Sequence, residues 1–238
     1  MTSWKRKLLE KPASVLSRFC LATRLFSGKW AAFLLHLGLA AENRTMVSRR
    51  RLWQLFKTCS EPSLPDGSLV ECGVARGGCV AVMSLASGGR RPVFGFDSFE
   101  GMPSLTAEDQ DDGQEWVGFQ CSGPKGLEEA QETLRRFHVA GAWVNLIPGF
   151  FESTLPDYTQ KISPIAVLRL DNDWYKSTRY CLERLYSEVA LHGVIIIDDY
   201  HAFAGCKKAV DEFREQRGIK SLMITAEATS EVFWRKTD

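Results

Sequence analysis

From Ser68 to the end of the chain, short apolar runs rich in Val, Ile and Phe alternate with longer amphipathic stretches. Bounded β-branched runs of this length read as strands, and strands separated by a dozen or more residues join as parallel neighbours through crossover helices. The rhythm therefore predicts a doubly wound, Rossmann-like α/β sheet with strands near 68–74, 92–97, 144–148, 165–171 and 193–198. Helices are expected over 126–139, 174–190 and 203–217, the middle one tracing an apolar stripe through Tyr175, Leu182, Leu185, Tyr186 and Val189. Two closing runs, 219–225 and 231–235, read as a hairpin. In such a sheet, ligands sit beyond the carboxyl ends of the strands, where the strand order reverses.

The rest of the chain adds limits. With 238 residues, 45% of them hydrophobic, it can bury one sizeable core without a disulfide or structural metal. Seven scattered cysteines, odd in number and without a C-x-x-C pair, fit reduced thiols and a cytoplasmic protein better than a secreted framework or a zinc site. The net charge of +1 hides an asymmetry: residues 1–60 carry +10 and residues 61–238 carry −9. Residues 1–64 are therefore expected to form a basic helical extension ahead of a catalytic unit over 65–238. Such an arm suits docking onto the acidic body or a neighbouring subunit of a homo-oligomer, with peripheral contact at an anionic membrane as the alternative. In it, Trp4, Leu8, Val15, Phe19 and Phe26 fall near helical spacing. The longest apolar run, Trp30 to Ala41, is twelve residues, short of the roughly 20 that a bilayer span takes. No aromatic stacking pattern of a nucleic-acid module accompanies the basic residues.

The strand ends carry the chemistry. The first strand runs out through Glu71, Gly73, Val74, Gly77 and Gly78 into an apolar helical stretch. Glycines at a strand-to-helix turn let the backbone approach a ligand, and the helix start offers free N–H groups. The second strand ends at Asp97, followed by Ser98 and Phe99; an acid at this place commonly accepts hydrogen bonds from ribose hydroxyls. Glycine turn and acid together read as an adenosine-type cofactor site. The fourth and fifth strands end in Asp171-Asn172-Asp173 and Asp198-Asp199. Several carboxylates in one crevice repel unless a cation or a proton intervenes, and a hard divalent ion with oxygen ligands, magnesium foremost, answers that problem. Adjacent strand residues point to opposite faces, so Asp198 and Asp199 share an ion only where the chain has left strand geometry. Asp173 is expected to cap the following helix rather than to bind. His201 is a candidate for the same rim. Phe150 or Phe151 is placed to flank an adenine ring, and the acidic segment 102–124, above all Glu108 to Glu115, is long enough to be a lid.

Read in order, these segments resemble the macrocin O-methyltransferase family, which includes sugar O-methyltransferases of macrolide and aminocoumarin pathways. The resemblance rests on Val70-Glu71-Cys72-Gly73-Val74 with Arg76-Gly77-Gly78, on Phe96-Asp97-Ser98-Phe99-Glu100-Gly101-Met102-Pro103, on Leu168-Arg169-Leu170-Asp171-Asn172-Asp173 with Tyr175, Ser177 and Thr178, and on Ile197-Asp198-Asp199-Tyr200 with Gly205-Cys206 and Ala209-Val210-Asp211. It implies a class I methyltransferase fold, S-adenosylmethionine as donor, a divalent metal, usually magnesium, and a sugar hydroxyl as acceptor. Under it, Glu71, Gly73, Val74 and Gly77 belong to the donor-binding loop, and Asp97, Ser98 and Phe99 to the nucleoside-binding segment. Asp171, Asp198 and Asp199 become the metal triad, and Asp171 also the candidate base. An acceptor with vicinal hydroxyls could chelate the ion. Asn172 stands where a glycine is expected and Trp174 where a smaller apolar residue is usual, which bears on the shape of the substrate rim. The rival readings are a catechol-like phenol as acceptor, a metal-dependent phosphohydrolase, or a donor-binding scaffold without turnover.

Overall fold

Two helices, α1 (Gly28–Ala41) and α2 (Arg49–Cys59), precede the first strand in the computed structural model, which describes residues 28–109, 117, 125–226 and 229–238. The chain then alternates through β1 (Ser68–Cys72), α3 (Gly78–Ser87), β2 (Val93–Asp97), α4 (Gly126–Arg136), β3 (Val144–Pro148), α5 (Phe151–Ile162), β4 (Ile165–Leu170), α6 (Tyr175–Leu185), β5 (Val189–Ile197) and α7 (Ala204–Gln216). It closes with β6 (Ile224–Thr225) and β7 (Val232–Arg235). The sheet order is β3-β2-β1-β4-β5-β7-β6, parallel through β5 and antiparallel at β7 and β6, as the alternation and the closing runs predict. Strand order reverses between β1 and β4, so the crevice of this fold opens at their carboxyl ends.

Period-two alternation sends successive strand residues to two separate cores. Leu69, Val93, Val167 and Ile196 pack under α1 to α4, whereas Val70, Phe94, Leu168 and Ile195 pack under α5 to α7. α3 is buried on nearly every side because α1 and α2 cover its outer face. Residues 28–59 thus share a core with the sheet, and their Leu35, Leu39, Leu52 and Leu55 are integral to it. The apolar positions expected before Gly28, namely Trp4, Leu8, Val15, Phe19 and Phe26, lie outside the described residues. Among the described residues, no helix is long and apolar enough to cross a membrane.

Several boundaries differ from the sequence reading. The helix expected over 174–190 stops at Leu185; a 3-10 turn, Tyr186–Glu188, follows, and Val189 pairs with Ile165 as the first residue of β5, which was expected only from 193. The apolar stripe did not mark the change because Tyr186 and Val189 are both buried. The helix expected to residue 139 ends at Arg136, and the closing run 219–225 is strand only at Ile224–Thr225.

At the reversal point one glycine is obligatory. Gly73 has φ +96°, and a Cβ on it would overlap the main-chain oxygen of Asp171, because β1 and β4 still exchange the Asp171 N to Cys72 O bond of 2.8 Å just beyond their ends. Gly73→Ala is therefore expected to destabilise the fold by about 2–4 kcal/mol through strain and overlap. Gly218→Ala, at φ +63° with nothing within 4 Å, should cost only about 1 kcal/mol. Chemical denaturation of both variants checks the contrast; equal losses would contradict it.

Candidate active site

The centre of the crevice is a guanidinium inside the sheet. Arg169 is only 1% exposed. It lies beside Glu71 of β1 and Ile196 of β5 in the strand register, so all three project to one face. Its Nη1 donates to Glu71 Oε1 at 2.6 Å and to Asp171 Oδ2 at 2.8 Å, and its Nη2 donates to Asp198 Oδ1. A buried guanidinium is tolerated only when fully paired, and three carboxylates from three strands meet that demand. They leave a surplus of negative charge. Six carboxyl groups, Glu71, Asp171, Asp173, Asp198, Asp199 and Glu231, surround two guanidinia, Arg169 and Arg51.

The sequence expectation placed Asp171, Asp198 and Asp199 on one ion. The structure brings Asp171, Asp199 and Asp173 together, with one carboxylate oxygen of each within 4.8 Å of the others. Asp198 lines the same cavity but stays outside that trio. β5 ends at Ile197, and Asp198 continues the alternation toward Arg169 while its second oxygen meets Arg51 Nη1 at 3.1 Å. Asp199 turns to the other side. Asp173 reaches the cluster because its backbone adopts φ +61°. The helix-capping role expected of it belongs to Asp109, whose Oδ1 accepts Tyr175 N at 2.8 Å at the start of α6. Asp109 is buried against Gly205, so residues 102–109 are anchored, also by Trp174 Nε1 donating to Pro103 O at 3.0 Å. Most of the expected lid, including Asp111 to Glu115, lies outside the described residues.

Burial and mutual repulsion set the proton inventory. Burial, reinforced by Asp173 and Asp171, pushes the Asp199 carboxyl well above the usual carboxylate range. Burial and Asp171 push Asp173 up to about 7. At Asp171 burial acts in the same direction but is overcome by the Arg169 guanidinium and by a hydrogen bond shared with Asp199, which together hold it below the usual range. Asp199 is thus biased toward its protonated form beside Asp171, and its Oδ2 is buried with no hydrogen-bond partner. A raised carboxyl and an orphaned carboxylate oxygen are what a carboxylate cluster shows where a divalent cation would fit.

The glycine turn forms the facing wall. Asp97 Oδ2 accepts Val74 N at 2.8 Å and Ala75 N at 2.9 Å, and Oδ1 accepts Phe99 N at 2.7 Å. The acid expected to meet a ribose therefore also ties the turn to its own strand end. Turn and carboxylates line one cavity of about 780 Å³, walled by Gly73, Ala75, Asp97 and Ser98 on one side and Asp171, Asp173 and Asp199 on another. Phe150, Phe151, Met102 and Trp174 close it together with Met46, Val47 and Arg51 from the segment before the sheet. Glu71, Val74, Gly77 and Phe99 stand outside this wall. Glu71 is fully buried beneath Arg169, Val74 contributes its backbone N–H, and Gly77, with φ +81°, starts α3 close against Ala130. His201 bonds Thr225 at an exposed edge and does not reach the cavity. No role was read from the sequence for Arg51, or for Arg169 beyond its place in the segment 168–173, although a charged residue inside the apolar run 165–170 was the visible signal for Arg169.

Residues 39–236 match the macrocin O-methyltransferase (TylF) family. A curated relative, the demethyldecarbamoylnovobiocin O-methyltransferase of Streptomyces niveus, is 32% identical over 206 residues, covering 83% of this chain and 77% of its own. Another, the 8-demethyl-8-(2,3-dimethoxy-alpha-L-rhamnosyl)-tetracenomycin-C 4'-O-methyltransferase of Streptomyces olivaceus, is 37% identical over 202 residues, covering 81% and 76%. The solved structure of the O-methyltransferase NovP superposes with a TM-score of 0.72 at 33% identity, over 82% of this chain and 83% of that one.

Folded-state protons make stability depend on pH. Glu71, pushed up to about 8 chiefly by burial, and Asp173 and Glu231, each pushed up to about 7, bind protons that the unfolded chain releases near pH 4. Their contribution is complete below the unfolded values and is lost as pH rises through the folded ones. With chelator present, the Tm should fall between about pH 5 and pH 8, and Glu71→Gln should flatten that fall because its side chain cannot ionise. A Tm that rises steadily over this window would contradict the assignment.

Proposed function

This chain belongs to the macrocin O-methyltransferase family and is an S-adenosylmethionine-dependent O-methyltransferase, and from that premise we propose that it methylates a sugar hydroxyl with the help of a divalent cation, magnesium foremost. The observation that carries the proposal is the trio Asp171, Asp173 and Asp199 opening into the same cavity as the Gly73–Ala75 turn. The phosphohydrolase alternative gives way to the family membership. The sugar acceptor is supported by the relatives, which are named for rhamnosyl and novobiocin-type substrates.

When bound, the donor supplies an electrophilic methyl on a sulfonium, and the cation supplies Lewis acidity that lowers the pKa of a ligating hydroxyl. The rest falls to the chain's own residues. The turn Gly73–Ala75 presents main-chain atoms with no β-carbon at Gly73, held in place by the Asp97 carboxylate. Ser98 and Phe150, both in the cavity wall, are placed to meet the nucleoside. Asp171 and Asp199 would hold the cation, since their carboxylates meet in the trio. Arg169 fixes the Asp171 carboxylate through its 2.8 Å bond and keeps it ionised. That makes Asp171, the base expected from sequence, a poor proton acceptor. Asp173 has no ion pair with either arginine and borders the same cavity within reach of Asp171 and Asp199, the position a general base needs. We assign it the proton of the attacking hydroxyl. Met102 and Phe151 add apolar wall to the same cavity.

Incubation with labelled donor and a panel of sugar nucleotides, glycosides and catechols, with and without magnesium, tests the acceptor and the metal together. Methylation of a glycoside that stops in excess chelator is the expected result; full activity in chelator would overturn the metal's role. Asp173→Asn should lower transfer by about 10²- to 10⁴-fold while donor and metal binding persist. Asp171→Asn should lose metal binding itself. Asp97→Ala should weaken donor binding by about 1–3 kcal/mol through the loosened turn, and unchanged affinity by calorimetry would place the donor elsewhere.

A further inference from the structure

Of the aspartates that follow β4 and β5, Asp198 stands outside the cluster, and two guanidinia of different character hold it. Arg169 belongs to the central strand β4 and is 1% exposed, so it cannot leave. Arg51 comes from the first turn of α2, outside the sheet, and its side chain is 17% exposed in the cavity wall beside Met46 and Val47. Its Nη1 lies 3.1 Å from Asp198 Oδ2 and donates to Ser230 Oγ at 2.9 Å, while the Ser230 hydroxyl donates to the main-chain oxygen of Asp198 at 2.8 Å. Its Nε is buried without a partner. Arg51 is therefore a cation set on the carboxylate crevice, incompletely satisfied, on a partly exposed side chain outside the sheet that can swing without disturbing a strand.

We infer that Arg51 is an internal competitor of the divalent cation: it holds the outer oxygen of Asp198 while the crevice lacks an ion and yields it when one binds, so that Asp198 joins Asp171 and Asp199. The inference rests on the metal reading given above. Its physical basis is that one carboxylate oxygen cannot serve a guanidinium and a dication at once, and that the two positive groups repel at this distance. Because Arg51, Met46 and Val47 lie on one short segment, ion binding is thereby coupled to the wall of the acceptor cavity, and by linkage the acceptor-side wall acts back on ion affinity.

The test is Mn²⁺ binding to the full chain at fixed ionic strength, followed by the electron paramagnetic resonance of free ion, with no turnover involved. Arg51→Gln should bind Mn²⁺ at least about fivefold more tightly than wild type. Ser230→Ala, which removes the hydroxyl partner and leaves the charge, should change affinity far less, and Asp171→Asn should abolish binding at this site. Equal or weaker affinity in Arg51→Gln overturns the competition and leaves the metal reading intact. No Mn²⁺ binding by wild type overturns both. The wild-type chain gives a second readout that needs no variant: Mn²⁺ should speed hydrogen exchange at the amides of residues 49–53, and unchanged exchange there would count against release of Arg51.

Discussion

The Arg169 guanidinium, sealed between β1, β4 and β5, is the interaction on which the crevice is built. It draws Glu71 from within β1 and Asp171 and Asp198 from just beyond β4 and β5 to one face of the sheet. Truncating it would leave carboxylates buried and unpaired, a loss of about 3–5 kcal/mol for a broken buried pair. Its value is placement as much as stability, because the direction of the Asp171 carboxylate follows from the bond it accepts there.

The surplus of carboxyl groups over guanidinia then shapes everything around it. Asp199 and Asp173 are raised by burial and their acidic neighbours, and Asp198 is divided between two arginines. Each is a way of neutralising charge in a low-dielectric crevice. The glycine turn is the complementary half of the site. Gly73 lets β1 and β4 meet without a side chain between them, and Asp97 fixes the turn that follows, so turn and carboxylates face one cavity across the reversal point of the sheet.

Much of this was legible in the sequence. The alternation of apolar runs and amphipathic stretches foretold the parallel sheet, and the strand-end words Gly73, Asp97, Asp171 and Asp199 marked the crevice because period and topology alone bring strand ends together. What the sequence could not carry is direction. Asp198 and Asp199 are neighbours in the chain, yet alternation sends one to Arg169 and the other to Asp171. Asp173 stood where a helix cap belongs, but its positive φ aims it inward while Asp109, far away in sequence, takes the cap. Glu71 looked like a ligand-facing residue of the glycine turn and instead lies fully buried beneath Arg169, accepting a hydrogen bond from its Nη1. Arg51 was invisible because nothing in a basic segment singles out the one side chain that crosses to the sheet.

The account's central claim is that the trio Asp171, Asp173 and Asp199 marks a divalent-ion site beside the donor. A crystal grown with Mn²⁺ and S-adenosylhomocysteine, examined by anomalous diffraction at the manganese edge, tests it directly. The account predicts one strong peak touching Asp171 and Asp199, with the cofactor against the Gly73 turn of the same cavity. A crevice without that peak, or a peak elsewhere on the molecule with the two carboxyls still bonded to each other, would contradict it.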